Sequence, residues 1–188
     1  MSHLDEIRNV IESDSREDKI KILESLSQTS DSTLIQLVIS KLDDDDIQVR
    51  GEAFAALMLN ENDISDILIQ SLKSPRKNIR GYSALILANR NEKRAIPAIV
   101  ELASDESASV RSCAIGALGY LKAVDGTQAI AKCINDYNSE VRKSAIKSAL
   151  DLGNDKLLKQ VQPAKSDDQE TRLLLDRVKR TINGPGGI

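Results

Sequence analysis

A two-residue signature returns along this chain at a nearly constant interval. It reads Val49-Arg50, Ile79-Arg80, Val110-Arg111 and Val141-Arg142, with the arginines 30, 31 and 31 residues apart. One period further on stands Arg172, and one period earlier stands Lys19. Self-similarity at such a period is the mark of a stacked array, in which each unit buries its apolar face only against its neighbours.

What surrounds the signature also repeats. Three residues after each basic residue come Ile22, Ala53, Ser83, Ala114, Ala145 and Leu175; four after come Leu23, Phe54, Ala84, Ile115, Ile146 and Asp176; seven after come Leu26, Leu57, Leu87, Leu118, Ala149 and Lys179. Apolar residues at these offsets share one helical face, so each signature opens a helix. Another amphipathic stretch precedes it, predicted over 4–13, 33–42, 64–72, 95–103, 127–137 and 156–162. Asp44, Asp105 and Asp136 lie in the intervening turns, six residues before their arginines. Asp46, Ser107, Asn138 and Asp168 lie four before the basic residue, where a side-chain oxygen caps a helix N-terminus. The expectation is an all-α chain of about six helical hairpins at 2–29, 30–61, 62–92, 93–124, 125–154 and 155–183, one solenoid over 1–183. Residues 184–188 form a flexible Gly/Pro tail. The first and last units carry charges where the others carry Ile or Leu, which suits caps closing both ends of the array.

Residues 95–121, AIPAIVELASDESASVRSCAIGALGYL, resemble the consensus of HEAT repeats, in particular the short HEAT-like type of phycobilisome lyase subunits. The resemblance implies a right-handed α-α superhelix with the second helices on its concave side, and a binding scaffold rather than an enzyme. Aromatics are 2% of the chain, with no tryptophan, which suits thin layers of Ala, Leu and Ile.

The chain offers little for catalysis. His3 is its one histidine, so serine or cysteine nucleophiles lack a histidine base, and the repeated His-Glu pairs of HEAT-like metal hydroxylases are missing. No glycine-rich phosphate loop occurs. Asp43–Asp46 lacks the alternation and turn glycine of a calcium loop, so it reads as capping and solubility. Cys113 and Cys133 form no disulfide framework or metal pattern; both fall in columns expected to be accessible. No cofactor and no metal is expected. The N-terminus lacks a secretory pattern and no apolar run suits a membrane span, so the expected location is the cytoplasm.

The expected partner is another protein. On the second helices, offsets +2, +5 and +9 point away from the core stripe, and on the concave side they carry Glu52, Leu59, Tyr82, Leu85, Asn89, Cys113, Tyr120 and Lys147. Tyrosine is a favoured interface anchor, although curvature burying part of this column would explain it too. The ladder Arg50, Arg80, Arg111 and Arg142 reads as structural, paired with Asp44, Asp105 and Asp136 in the turns. One alternative comes from the resemblance alone, a lyase-type or chaperone-like subunit acting on a chromophore protein; a second is nucleic-acid binding, as in HEAT-like DNA glycosylases, through the basic patch of Lys73, Arg76, Lys77, Arg80, Arg90, Lys93 and Arg94. The net charge of −3 argues against the latter, because phosphate neutralisation drives such binding. The acid-rich stretch 43–66 beside this basic stretch also suits solvated turns attracting each other.

Overall fold

Polar turn residues cut this chain into helices at regular intervals. The computed structural model describes residues 3–163 and 167–184, with side chains from residue 4. Among them are twelve α-helices and no strand. The first helices of the hairpins are α1 (His3–Ile11), α3 (Ser32–Ser40), α5 (Ser65–Ser71), α7 (Ile96–Leu102), α9 (Thr127–Cys133) and α11 (Asp155–Leu158). The second helices are α2 (Arg16–Ser25), α4 (Ile47–Leu59), α6 (Lys77–Asn89), α8 (Ala108–Tyr120), α10 (Ser139–Asp151) and α12 (Gln169–Asn183). The described chain divides after Arg90 into two units of three hairpins each.

Turn chemistry sets the helix starts. Asp46 Oδ1 accepts from the Gln48 N–H at 2.7 Å, Asn138 Oδ1 from Glu140 and Val141, and Asp168 Oδ1 from Thr171. Each satisfies an N–H that the helix itself leaves free. Ser107 holds the equivalent place in α8 without making that bond; its hydroxyl meets Ser109 Oγ at 2.9 Å instead. One step earlier, the carboxylates of Asp44, Asp105 and Asp136 each accept from the N–H two residues on, and Ser74 does the same in the third hairpin. These bonds fold the turn back on itself.

In the first unit α2 packs on α4, α4 on α6, and α3 on α5. In the second unit α8 packs on α10 and α10 on α12. The repeating apolar offsets form the core: Val49, Ala53, Leu57, Ala84, Leu87, Val110, Ala114, Leu118, Val141 and Ala145 are all under 3% exposed. Ser83 is fully buried in the column that Ala53, Ala114 and Ala145 otherwise fill, and its hydroxyl has no partner. In α12, Asp176 and Lys179 are exposed and pair with each other at 3.5 Å.

Three further expectations change. The first helices of the fifth and sixth hairpins are shorter than 127–137 and 156–162, because turns take over at Ile134 and Lys159. Phe54 is only half-buried. Its ring turns toward Tyr82, with centroids 6.0 Å apart and planes at 72°. Cys133 is not accessible: it is 3% exposed and its thiol donates to the Ala103 carbonyl at 3.6 Å. The tail expected at 184–188 lies outside the described residues beyond Gly184.

Candidate functional site

In the first unit, neighbouring second helices leave a groove between α4 and α6. Ile47, Arg50, Gly51, Phe54, Tyr82 and Leu85 line about 220 Å³ of it. Periodicity brings these residues together. Ile47, Gly51 and Phe54 follow one another at helical intervals along one side of α4, and Tyr82 and Leu85 stand three apart on α6. The Phe54 and Tyr82 rings meet edge to face, an arrangement favoured by their quadrupoles. Arg50 supplies part of the wall, its guanidinium held by the carbonyls of Asp44 at 2.7 Å and Asp45 at 3.0 Å. Ile47 is 72% exposed and Leu59, at the end of α4, is 65% exposed. Large apolar side chains left open beside a groove mark an interaction surface more often than scattered ones do.

Of the residues expected on this face, Tyr82 and Leu85 are half-buried groove walls. Glu52 is half-buried on α4; burial, and then the nearby Glu24 carboxylate, push its pKa above the ordinary value. Asn89 is exposed and its amide donates to the Leu85 carbonyl at 2.9 Å. Ile47 and Phe54 were not among the expected site residues. Ile47 had a sequence signal: the equivalent places in the other hairpins hold Arg16, Lys77, Ala108, Ser139 and Gln169.

The second unit presents a more polar face. Tyr120 is 63% exposed and Cys113 is half-buried, with burial raising its thiol pKa. Lys147 is exposed and pairs with Glu170 at 2.8 Å. Beside it, buried Lys143 gathers Glu140 at 2.7 Å, Asp168 at 3.1 Å and Glu170 at 3.2 Å, which hold its ammonium protonated. Cys133, deep in this unit, has its thiol pushed up to about 11 by burial and then by the Asp136 charge, so little of it is thiolate at neutral pH.

The arginine ladder runs along the turns. Each arginine donates to the backbone carbonyl of the residue six before it. Arg50 bonds Asp44 O, Arg80 bonds Ser74 O at 2.9 Å, Arg111 bonds Asp105 O at 2.9 Å and Arg142 bonds Asp136 O at 3.0 Å. Carboxylate partners lie in the following hairpin: Asp44 for Lys19, Asp136 for Arg111 and Asp167 for Arg142, each 25 residues on. The ladder thus ties consecutive hairpins within each unit. The acidic run is engaged in the same way. Asp44 binds Lys19 at 3.2 Å and Lys41 at 3.6 Å, Asp46 caps α4, and Asp43 lies 3.8 Å from Arg76. Among the described residues no group of side chains suits a metal ion.

Arg90, part of the basic stretch, has a structural role too. It donates to the carbonyls of Asn60, Asn62 at 2.7 Å and Leu57 at 3.4 Å, holding the loop after α4. No described helix is long and apolar enough to cross a membrane.

The family described as HEAT repeats matches residues 65–151. No curated protein matches the chain. Several solved structures share its fold. The complex of CpcE and CpcF of phycocyanin lyase from Nostoc sp. PCC7120 is 20% identical, with 79% of this chain and 99% of that one covered and a TM-score of 0.66. A designed armadillo repeat protein in complex with the peptide (KR)4 is 17% identical, covering 97% of this chain and 100% of that one, with a TM-score of 0.55. A chain from a study of TOG–tubulin binding specificity is 16% identical, covering 94% of this chain and 82% of that one, with a TM-score of 0.54. At these identities the likeness speaks to fold, an armadillo- and HEAT-like helical solenoid. The 31-residue ladder, the stacked hairpins and the match over residues 65–151 thus place HEAT repeats within an armadillo- and HEAT-like helical solenoid.

Proposed function

We propose that this chain is a non-catalytic scaffold that binds a segment of another protein on the exposed face of its second helices, with the α4–α6 groove as the anchor site. The observation that carries the reading is the open apolar groove walled by Phe54, Tyr82 and Leu85, with Ile47 exposed at its edge. At about 220 Å³ it is smaller than the roughly 300–1,000 Å³ typical of small-molecule pockets, and it suits a single large side chain. Interfaces draw most of their affinity from such buried anchors. Structures of this fold include one bound to a peptide and one from a study of tubulin binding, which supports a macromolecular partner. The Tyr120 face of the second unit is a further contact surface in this reading. Two free thiols, one of them buried, suit the cytoplasm.

The test is affinity capture from native lysate with wild-type protein beside Tyr82→Ala and Leu85→Asp, both first checked for an unchanged helical circular-dichroism spectrum. A protein held by the wild type and lost by both variants supports the groove as anchor. Equal recovery by all three overturns it.

A further inference from the structure

One arrangement recurs where a hairpin meets the next. The basic residue of the ladder bonds a carboxylate in the turn of the following hairpin: Lys19 to Asp44 at 3.2 Å, Arg111 to Asp136 at 2.8 Å and Arg142 to Asp167 at 3.1 Å. Between α10 and α12 a second bridge joins it. Lys147, five after its ladder residue, bonds Glu170, two after the residue that caps α12, at 2.8 Å. Stacking covers the ladder pair, leaving the Arg142 and Asp167 side chains 11% and 3% exposed.

The cationic half of this arrangement is repeated on the exposed side of α12. Arg172 holds the ladder place, and Arg177 stands five after it, as Lys147 does after Arg142. Both are exposed, and neither makes an ion pair among the described residues. Beside Arg172 lies Leu173, 64% exposed, in the place where Ser112 of α8 meets Ser144 of α10. The acidic half is repeated at the start of α2. Asp14 directly precedes the capping residue Ser15, as Asp167 precedes Asp168, and Glu17 stands two after the cap, as Glu170 does. Asp14 is exposed and its carboxylate makes no bond among the described residues. Glu17 has only its exposed neighbour Arg16, at 3.3 Å. Ile22 is half-buried, whereas Ala53, Ala114 and Ala145 in the same column are 0% exposed.

We infer that copies of this chain associate head to tail, the exposed side of α12 in one copy taking the first hairpin of the next in the register that joins α10 to α12. Arg172 bonds Asp14 of the next copy, and Arg177 bonds its Glu17. Leu173 lies under the aliphatic stem of Lys21, which holds the place of Ser144. The charges at the two ends, expected as caps, are thus complementary, and complementary charge fixes both partner and register. The contact is heterologous: each copy keeps one α12 side and one α2 side for further copies, so assemblies lengthen as concentration rises. The contact uses neither Phe54 nor Tyr82 and stands apart from the groove reading.

Sedimentation velocity of the full chain, from micromolar to millimolar concentration, tests this. The weight-average sedimentation coefficient of the wild type rises over that range. Arg172→Glu and Asp14→Arg each move the rise to about tenfold higher concentration, the effect of roughly 1.4 kcal/mol. An equimolar mixture of the two variants recovers the wild-type curve, because the reversed tail of one meets the reversed head of the other and the remaining ends are unchanged. That recovery cannot come from misfolding. Tyr82→Ala leaves the curve where it was. A wild type that stays monomeric to millimolar concentration overturns the inference. So does association that neither charge reversal weakens, a mixture no better than its components, or a loss of association in Tyr82→Ala, which would place the contact in the groove.

Discussion

The guanidinium of Arg111 and the carboxylate of Asp136, 25 residues apart, meet in a two-point ion pair: Nε lies 2.8 Å from Oδ2 and Nη2 lies 2.9 Å from Oδ1. The side chains are only 7% and 10% exposed. The same guanidinium donates to the carbonyls of Asp105 and Glu106 and lies 4.8 Å from the centre of the Tyr137 ring. One residue thereby fixes its own turn and the next. Removing either partner leaves a buried charge uncompensated, which costs about 3–5 kcal/mol. Arg111→Ala and Asp136→Ala are each expected to lose that much in urea unfolding. Their double variant should lose less than the sum, because the two share one interaction.

The ladder also sets a pH dependence. Burial alone would raise the Asp136 pKa, but the Arg111 pairing and the Asn138 N–H outweigh it, and the carboxyl is held below its ordinary 3.8. Asp44 is lowered against its burial by the Asp46 N–H and by Lys19 and Lys41. A carboxyl depressed in the folded state contributes stability that is fully present above its unfolded pKa and is lost as pH falls through the folded one. Melting temperature is therefore expected to hold near neutrality and to fall below about pH 4. Asp136→Asn should flatten that acid limb while lowering the neutral-pH value. An unchanged limb would mean that other carboxyls govern it.

Two glycines one turn apart in α8 make opposite predictions. A Cβ at Gly119 would lie 2.6 Å from Ser148 Cβ and 2.8 Å from its Cα, where α8 and α10 approach, so Gly119→Ala forces the helices apart. Overpacking of this kind costs about 1–3 kcal/mol. At Gly116 the added Cβ meets nothing, and alanine should gain about 1 kcal/mol from helix propensity. Thermal melts of the two single variants check both signs.

Most of the helical frame was legible because each hairpin is a local event. The Val-Arg period, the apolar offsets and the capping residues lie within a dozen positions of one another, and α4, α6, α8 and α10 each run 13 residues from them. The partners across hairpins were not legible. Asp136 stands six residues before Arg142, which invites pairing within one repeat, yet that arginine takes the Asp136 carbonyl and the Asp167 carboxylate while the Asp136 carboxylate turns back to Arg111. Phe54 sits in the column of Leu23, Ile115 and Ile146, and only its contact with Tyr82 on the next helix makes it a groove wall. The periodic helix ends were also overlooked, although they carry a signal in Asn91, Lys122 and Gly153, spaced 31 apart with φ of 55°, 49° and 59°.

That last pattern yields a prediction at Lys122. After α8 the Ala123 N–H donates to the Leu118 carbonyl and the Lys122 N–H to the Gly119 carbonyl, both at 3.0 Å. After α10 the Asn154 N–H donates to Ala149 and the Gly153 N–H to Leu150 in the same pattern. Both helices thus end in the same left-handed cap, which satisfies carbonyls the helix leaves open. Glycine adopts that conformation freely, whereas a side chain there crowds the following carbonyl at a cost of about 1–2 kcal/mol. Lys122 is exposed and its ammonium makes no ion pair, so nothing in its surroundings offsets that cost. Lys122→Gly is expected to stabilise the chain by about 1 kcal/mol, and Gly153→Ala to destabilise it by a similar amount. Urea midpoints of both variants decide the matter. A loss of stability in Lys122→Gly would show that the lysine stem covers apolar surface worth more than the backbone strain it carries.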